Sequence, residues 1–221
     1  MTILGFDTST AASSAAVLRG DGELFQVLPP PQRLSERPAH ATELLPAIGT
    51  VMQEADVGFS DLGAIAVGLG PGTFTGLRIG VATARALAKA NDLPLRGVSS
   101  LAALAAGIDG PVRLPLIDAR RGEVYAALYE EDTVRWPPAA LGIEALLERL
   151  RDLPATPLAA GDGSLRFRDE FEAAGVAVAA PDSSLHVVSA GHLCKRALEA
   201  PDTEPEQVVP DYLREPDAVQ R

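Results

Sequence analysis

The chain has 221 residues, of which 47% are hydrophobic and 22% charged, and a formal net charge of −11. That apolar fraction suits one large core or two smaller ones and excludes a disordered chain. The acidic balance, with its few Lys and Arg scattered, excludes a protein that holds RNA or DNA phosphates by itself. The mild apolar stretch 101–108 falls far short of the roughly 18–20 residues that cross a bilayer. The opening Met1-Thr2-Ile3-Leu4-Gly5-Phe6-Asp7 lacks a secretory pattern. Cys194, alone, can form neither an internal disulfide nor a thiolate metal site. A soluble cytoplasmic protein is expected, with an acidic surface suited to a basic protein partner.

In chain order, apolar runs predict strands over 3–6, 14–18 and 23–28, the last two joined through Gly20-Asp21-Gly22, a hairpin signal. Prolines make 29–38 a loop. Leu44, Leu45, Ile48, Val51, Met52 and Ala55 recur at helical spacing and predict a helix over 39–55, with Pro46 in its first turns or at a kink. A strand over 64–67, a glycine-rich turn and a helix over 74–91, capped by Thr73 or Thr75, follow. A strand over 95–98 and a short helix to 106, capped by Ser99 or Ser100, complete the first half. Asp109-Gly110-Pro111 breaks the chain near its midpoint and sets the expected lobes at 1–108 and 109–221. The second half reads as strands over 112–117, 123–129, 158–160 and 176–178, a charged turn over 118–122, and helices over 143–150, 167–174 and 189–200. The Pro- and acid-rich tail 201–221 is expected to be mobile or superficial, with Tyr212 and Leu213 available to pin it.

The sharpest segment is Gly68-Leu69-Gly70-Pro71-Gly72-Thr73-Phe74-Thr75-Gly76-Leu77-Arg78-Ile79-Gly80. A glycine-rich turn between strand and helix can cradle phosphate on backbone donors. No Lys follows its last turn glycine as a Walker loop requires, and the alternative is a tight connection allowing close backbone approach. Behind it Gly76, Gly80 and Ala84 lie four apart on one helical face. Interior helix glycines cost roughly 0.5–1 kcal/mol each against alanine, so close packing is their reason, within the fold or against a partner. Asp7-Thr8-Ser9-Thr10 reads as a polar turn, or as a carboxylate and hydroxyls beside a nucleotide's metal and phosphates. His40, His186 and His192 form no His-x-x-x-His pair and read as structural or solvated, and no Gly-x-Ser-x-Gly elbow occurs. The charge-dense stretch 118–125 reads as a solvated hairpin or a contact for a ligand or partner.

Taken together, Phe6-Asp7-Thr8-Ser9, His40-Ala41-Thr42-Glu43-Leu44-Leu45-Pro46, the 68–80 segment, Asp118-Ala119-Arg120 with Glu123-Val124-Tyr125, and Pro210-Asp211-Tyr212-Leu213-Arg214 resemble the TsaB family, formerly YeaZ, over almost the full chain. That resemblance implies an α/β fold like actin, Hsp70 and the sugar kinases, with two lobes of mixed sheets flanked by helices. It implies a non-catalytic scaffold, without cofactor or metal, that pairs with a catalytic paralogue, TsaD, and an ATPase, TsaE, and that also forms homodimers. The set transfers threonylcarbamoyl to N6 of the adenosine after the anticodon in tRNAs reading ANN codons, and this chain would meet tRNA only indirectly. The family's pairing surface corresponds to Leu44, Ile48 and Met52 of the first helix and Gly76, Leu77, Gly80 and Ala84 of the second. Replacing Gly80 with Leu should then weaken pairing and leave the isolated fold largely intact. Asp7, Thr8 and Ser9 correspond to a vestigial nucleotide site. Where the catalytic paralogue carries its metal-binding His-x-x-x-His, this chain has Ser100 and Leu104, which cannot replace two imidazoles. The rival expectation is a small-molecule kinase or ATPase of the same fold, with Asp7, Thr8 and Ser9 holding metal and phosphate.

Overall fold

The computed structural model describes residues 1–131 and 133–214. Its first sheet is built on β1 (Ile3–Asp7), whose five residues are all buried. With both faces covered, a strand needs an unbroken apolar run, which is what 3–6 supplies. β1 pairs antiparallel with β2 (Ser14–Leu18), from Ile3 opposite Leu18 to Asp7 opposite Ser14, and parallel with β4 (Ala64–Gly70). β3 (Leu24–Val27) closes the hairpin and β5 (Leu95–Ser99) lies parallel to β4, giving the order β3-β2-β1-β4-β5.

The second sheet contains β6 (Val112–Arg120), β7 (Glu123–Glu130), β8 (Thr133–Gly142), β9 (Leu158–Ala160) and β10 (Ala177–Val178). Its order, read from β8, is β8-β7-β6-β9-β10. The first topology is therefore repeated: a meander of three antiparallel strands, then two parallel strands on the other side of the first. Two α/β lobes with mixed sheets result, as the resemblance implies.

Helices α1 (His40–Glu54) and α2 (Phe74–Ala90) cover one face of the first sheet, where Leu44, Ile48, Val51, Val81 and Ala84 meet Leu4, Phe6, Ile65 and Val67. On the opposite face α3 (Ser100–Ala105) and α7 (Ala190–Ala197) share one core with both sheets, joining Ile3, Ala66, Leu101 and Leu193 to Ile117 and Tyr125. The other face of the second sheet is covered by α4 (Ile143–Arg151) and α6 (Arg168–Ala173), through Leu146, Leu150 and Phe171.

Four expectations change. Strand β8 was not expected, because Trp136-Pro137-Pro138 interrupts its alternation; the structure takes up the prolines where the register shifts between Leu128 and Ala126. The charged turn is tighter than 118–122, since β6 continues to Arg120 and the chain reverses on Arg121 and Gly122, with Arg120, Arg121 and Gly122 all at positive φ. The expected helix over 167–174 is α6, and a short helix that was not expected, α5 (Asp162–Arg166), precedes it. Finally, the tail is held down as far as Arg214, while 215–221 lie outside the described residues. Asp202 takes Arg96 at 2.6 Å, Thr203 bridges Leu95, and Val208 enters the core. The reason is the outer edge of β5, whose free backbone groups need a cover.

Candidate functional site

The turn after β1 directs its polar groups inward. Asp7 Oδ1 accepts from Ser9 N at 2.8 Å and Ser9 Oγ at 2.6 Å, and Oδ2 accepts from Ser100 Oγ at 2.6 Å. Thr8 Oγ1 donates to the Gly76 carbonyl at 2.8 Å. All three residues are at most 1% exposed. Burial raises the Asp7 carboxyl above the usual carboxylate range, and the hydrogen bonds from Ser100 and Ser9 pull it partly back. The structure brings Asp7, Thr8 and Ser9 together, as expected of a nucleotide site, but joins their polar groups to the chain itself and presents none to a phosphate.

His40 opens α1 beside them, with Nδ1 2.7 Å from Ser13 Oγ and a buried Nε2 that has no hydrogen-bond partner among the described residues. Burial lowers its pKa; the charges of Asp7 and Glu43 oppose that shift and Arg33 adds to it. Ser13 and Ser100 escaped the sequence reading as members of this cluster, because an isolated serine carries no local signal. Ser100 stands at the start of α3 and Leu104 on it, where the paralogue's metal histidines are expected, and Leu104 is in the shared core. Among the described residues no group of His, Cys, Asp and Glu is placed to hold a metal ion.

The expected docking residues need correction. Leu44, Ile48, Met52, Leu77 and Ala84 are 0–8% exposed, and Gly76 and Gly80 are buried as well. The glycine face of α2 is used inside the chain. A Cβ on Gly76 would sit 2.0 Å from the Thr8 carbonyl oxygen, and one on Gly80 2.3 Å from Thr8 Oγ1. Gly80→Leu therefore strikes the fold itself, contrary to the sequence expectation. The outer faces carry other residues. Leu45 of α1 is 57% exposed, with Thr42, Pro46 and Gly49 exposed beside it. On α2, Thr75, Ala82 and Ala86 are exposed and Ile79 half-buried, a stripe of small and apolar side chains at helical spacing.

A cleft of about 530 Å³ opens between Pro31 and Leu34 of the first lobe and Asp118, Asp162, Leu165 and Arg166 of the second. Arg120 and Arg166 each reach Asp118 Oδ2 at 3.0 Å, and Asp118 N donates to Asp162 Oδ1 at 2.9 Å. Burial, and secondarily the charge of Asp118, push Asp162 up to about 6, against the opposing hydrogen bond from the Asp118 amide. Gly161-Asp162-Gly163 thus forms the start of α5, and Asp162 lines this cleft.

A profile of the family described as "TsaD: tRNA N6-adenosine threonylcarbamoyltransferase" matches residues 32–161. The chain is 33% identical to the tRNA threonylcarbamoyladenosine biosynthesis protein TsaB of Bacillus subtilis, covering 97% of this chain and 94% of that protein. It is 33% identical to the protein of the same name from Escherichia coli, covering 97% and 95%. The solved structure of YeaZ from Pseudomonas aeruginosa superposes with a TM-score of 0.76 at 31% identity, over 96% of this chain and 99% of that one. The ethanolamine utilization protein EutJ of Carboxydothermus hydrogenoformans, 14% identical with a TM-score of 0.50, shares the fold alone. Its sequence along nearly the whole length and its fold of two repeated lobes place this chain in the TsaB (YeaZ) family.

Proposed function

We propose that this chain is a non-catalytic scaffold subunit in tRNA threonylcarbamoyladenosine biosynthesis, which takes part by binding a TsaD-type catalytic paralogue and a TsaE-type ATPase. The near full-length likeness to proteins named for that pathway carries the proposal. The transfer itself, to N6 of the adenosine after the anticodon in ANN-decoding tRNAs, then belongs to the paralogue. A net charge of −11 supports an indirect role towards tRNA. Residence in the cytoplasm, where tRNA is modified, and a division into lobes at 108/109 belong to the same proposal. Among the described residues no helix is long and apolar enough to cross a membrane.

The docking surface we propose is the outer side of α1 and α2, around Leu45, Gly49, Ile79, Ala82 and Ala86, where small side chains let a partner's helices approach closely. Leu44, Ile48, Met52, Gly76, Leu77, Gly80 and Ala84 act from beneath, by setting the position of the two helices. A homodimer of the isolated chain would use this same side. The test is co-purification of a TsaD-type partner with wild-type chain and with the double variant Leu45→Asp/Ala82→Asp. Loss of capture at an unchanged melting temperature is expected; full capture by the variant overturns the docking surface. Failure of the wild-type chain to support threonylcarbamoyl transfer in the reconstituted set overturns the scaffold.

The cleft at Asp118 and Asp162 favours the rival, a small-molecule kinase or ATPase. The side chains of Asp7, Thr8 and Ser9 are buried and bonded within the chain, which argues against it. Calorimetry of the isolated chain with magnesium and ATP separates the two. No tight binding and no turnover are expected.

A further inference from the structure

The cleft between Leu34 and Arg166 carries charged groups of both signs over an apolar floor, and the scaffold role uses none of them. That floor is made across the lobes. Leu34, in the short helical turn Pro31–Ser35, packs with Ala12 and Val187, and Leu165 of α5 packs against them. The turn is fastened to α1 through Arg33, whose Nη2 donates to Glu43 Oε1 and Oε2 at 3.0 Å each. The walls are therefore set without a ligand, as those of small-molecule sites commonly are.

Two cations stand over this floor. The buried Asp118 has Oδ2 3.0 Å from both Arg120 Nη1 and Arg166 Nη1, while its Oδ1 accepts from Arg120 N at 2.8 Å. One carboxylate thus orients two guanidiniums and neutralises one charge. Both arginines remain exposed, with donors beyond those given to Asp118. Arg120 is held at φ 65° where the register of β6 against β7 slips, a left-handed conformation that is costly for a residue with a Cβ. Asp162 and Asp182 line the same cleft, and with Asp118 already engaged they are the carboxylates that face a ligand.

We propose that this cleft binds an α-amino acid with an apolar side chain: its carboxylate lies on Arg120 and Arg166, its ammonium faces Asp162 and Asp182, and its side chain rests on Leu34 and Leu165. The balance of signs selects that class. A plain carboxylate or phosphate suits the guanidiniums but meets two acids of its own sign, and a polyphosphate does so more severely. An amine meets the acids but also the guanidiniums. A zwitterion matches both sets. Asp162 and Arg166 stand one turn apart on α5, about 5–6 Å between Cβ atoms, which the two charges of an α-amino acid and their hydrogen bonds span. No residue of α1 or α2 lines the cleft, so the site stands apart from the docking surface.

Calorimetry of the full chain with L-leucine tests it. Saturable binding at about 1 mM or tighter is expected at neutral pH; no binding by the wild-type chain overturns the proposal. Isocaproate, which lacks the ammonium, and isoamylamine, which lacks the carboxylate, should each bind about tenfold more weakly or worse. Isocaproate that binds as well as leucine overturns the zwitterion in favour of a plain anion. Acidity gives a second readout on the unaltered chain. Burial raises the Asp162 carboxyl to about 6, with the Asp118 amide opposing, the Asp118 charge adding and Arg120 opposing. The ammonium favours the ionised carboxylate, so leucine should bind about tenfold more weakly at pH 5 than at pH 7, whereas a plain anion would bind more tightly. Affinity for leucine that is flat or rises in acid overturns the pairing with Asp162. Arg166→Gln, with its melting temperature as the folding check, should weaken leucine about tenfold; unchanged affinity overturns the seat assigned to the carboxylate.

Discussion

At the scale of single residues, the glycines of α2 are decided by what lies opposite them. Alanine at a helix-interior glycine normally stabilises by roughly 0.5–1 kcal/mol. At Gly80 the added Cβ would meet Thr8 Oγ1, a buried hydroxyl already engaged with the Gly76 carbonyl. Gly80→Ala is therefore expected to lose about 1–3 kcal/mol in denaturant unfolding, and Thr8→Ala/Gly80→Ala to be more stable than the Gly80→Ala single variant. Asp162 gives a pH signature. Its carboxyl, at about 6 when folded, lies above the unfolded value near 3.8, so the folded chain binds more protons between these limits. Its contribution is fully present below the lower value and is lost as pH rises through the higher. Asp162→Asn should gain on wild type by roughly 1–3 kcal/mol between pH 4 and pH 7. A difference in unfolding free energy that is flat with pH would contradict this.

At the scale of elements, α1 and α2 each present two faces, with different consequences of substitution. Leu44, 1% exposed in the core above the first sheet, should cost about 2–5 kcal/mol as Leu44→Ala. Its neighbour Leu45, 57% exposed, should cost little in the isolated chain and matter only when a partner is present. Thermal unfolding of the two variants side by side measures this contrast. The edge of β5 supplies another test. Arg96 is 9% exposed and held by Asp202 and by the Ala197 carbonyl at 2.8 Å. Asp202→Ala leaves a buried guanidinium with fewer partners and should destabilise by about 1–3 kcal/mol, visible as a lower melting temperature. The short helix α5 and the strand β8 escaped sequence reading for different reasons. α5 is too short to establish a period, and β8 carries prolines that an edge strand tolerates and an inner strand does not.

At the scale of the whole molecule, the repeated topology gives the turn after β1 and the β6–β7 hairpin equivalent places in the two sheets, and α3 and α7 join the lobes through one core. The central strands and the amphipathic helices were legible from sequence because burial imposes periods of 2 and 3.6 on the residues that experience it, whereas the two lobes followed from the resemblance and the break at Asp109-Gly110-Pro111. The 68–80 segment was legible as a turn feeding a close-packed helix for the same local reason: glycine is costly in a helix unless something is near.

What lies near was not legible. Periodicity identifies a small or apolar face but not what covers it. The face of Gly76, Gly80 and Ala84 fits a partner's backbone as well as it fits the Thr8 turn, some 70 residues away in sequence; the separation of Thr8 and Gly76 is 68. Only the tertiary structure turns that face inward, leaves Leu45 and Ala82 outside, and joins Asp7 to Ser100 and Arg214 to Glu123, because contacts between distant segments leave no period in the chain that makes them. The sequence by itself determined the family of this protein and most of its strands and helices; packing decided which side of its helices is free to meet another molecule.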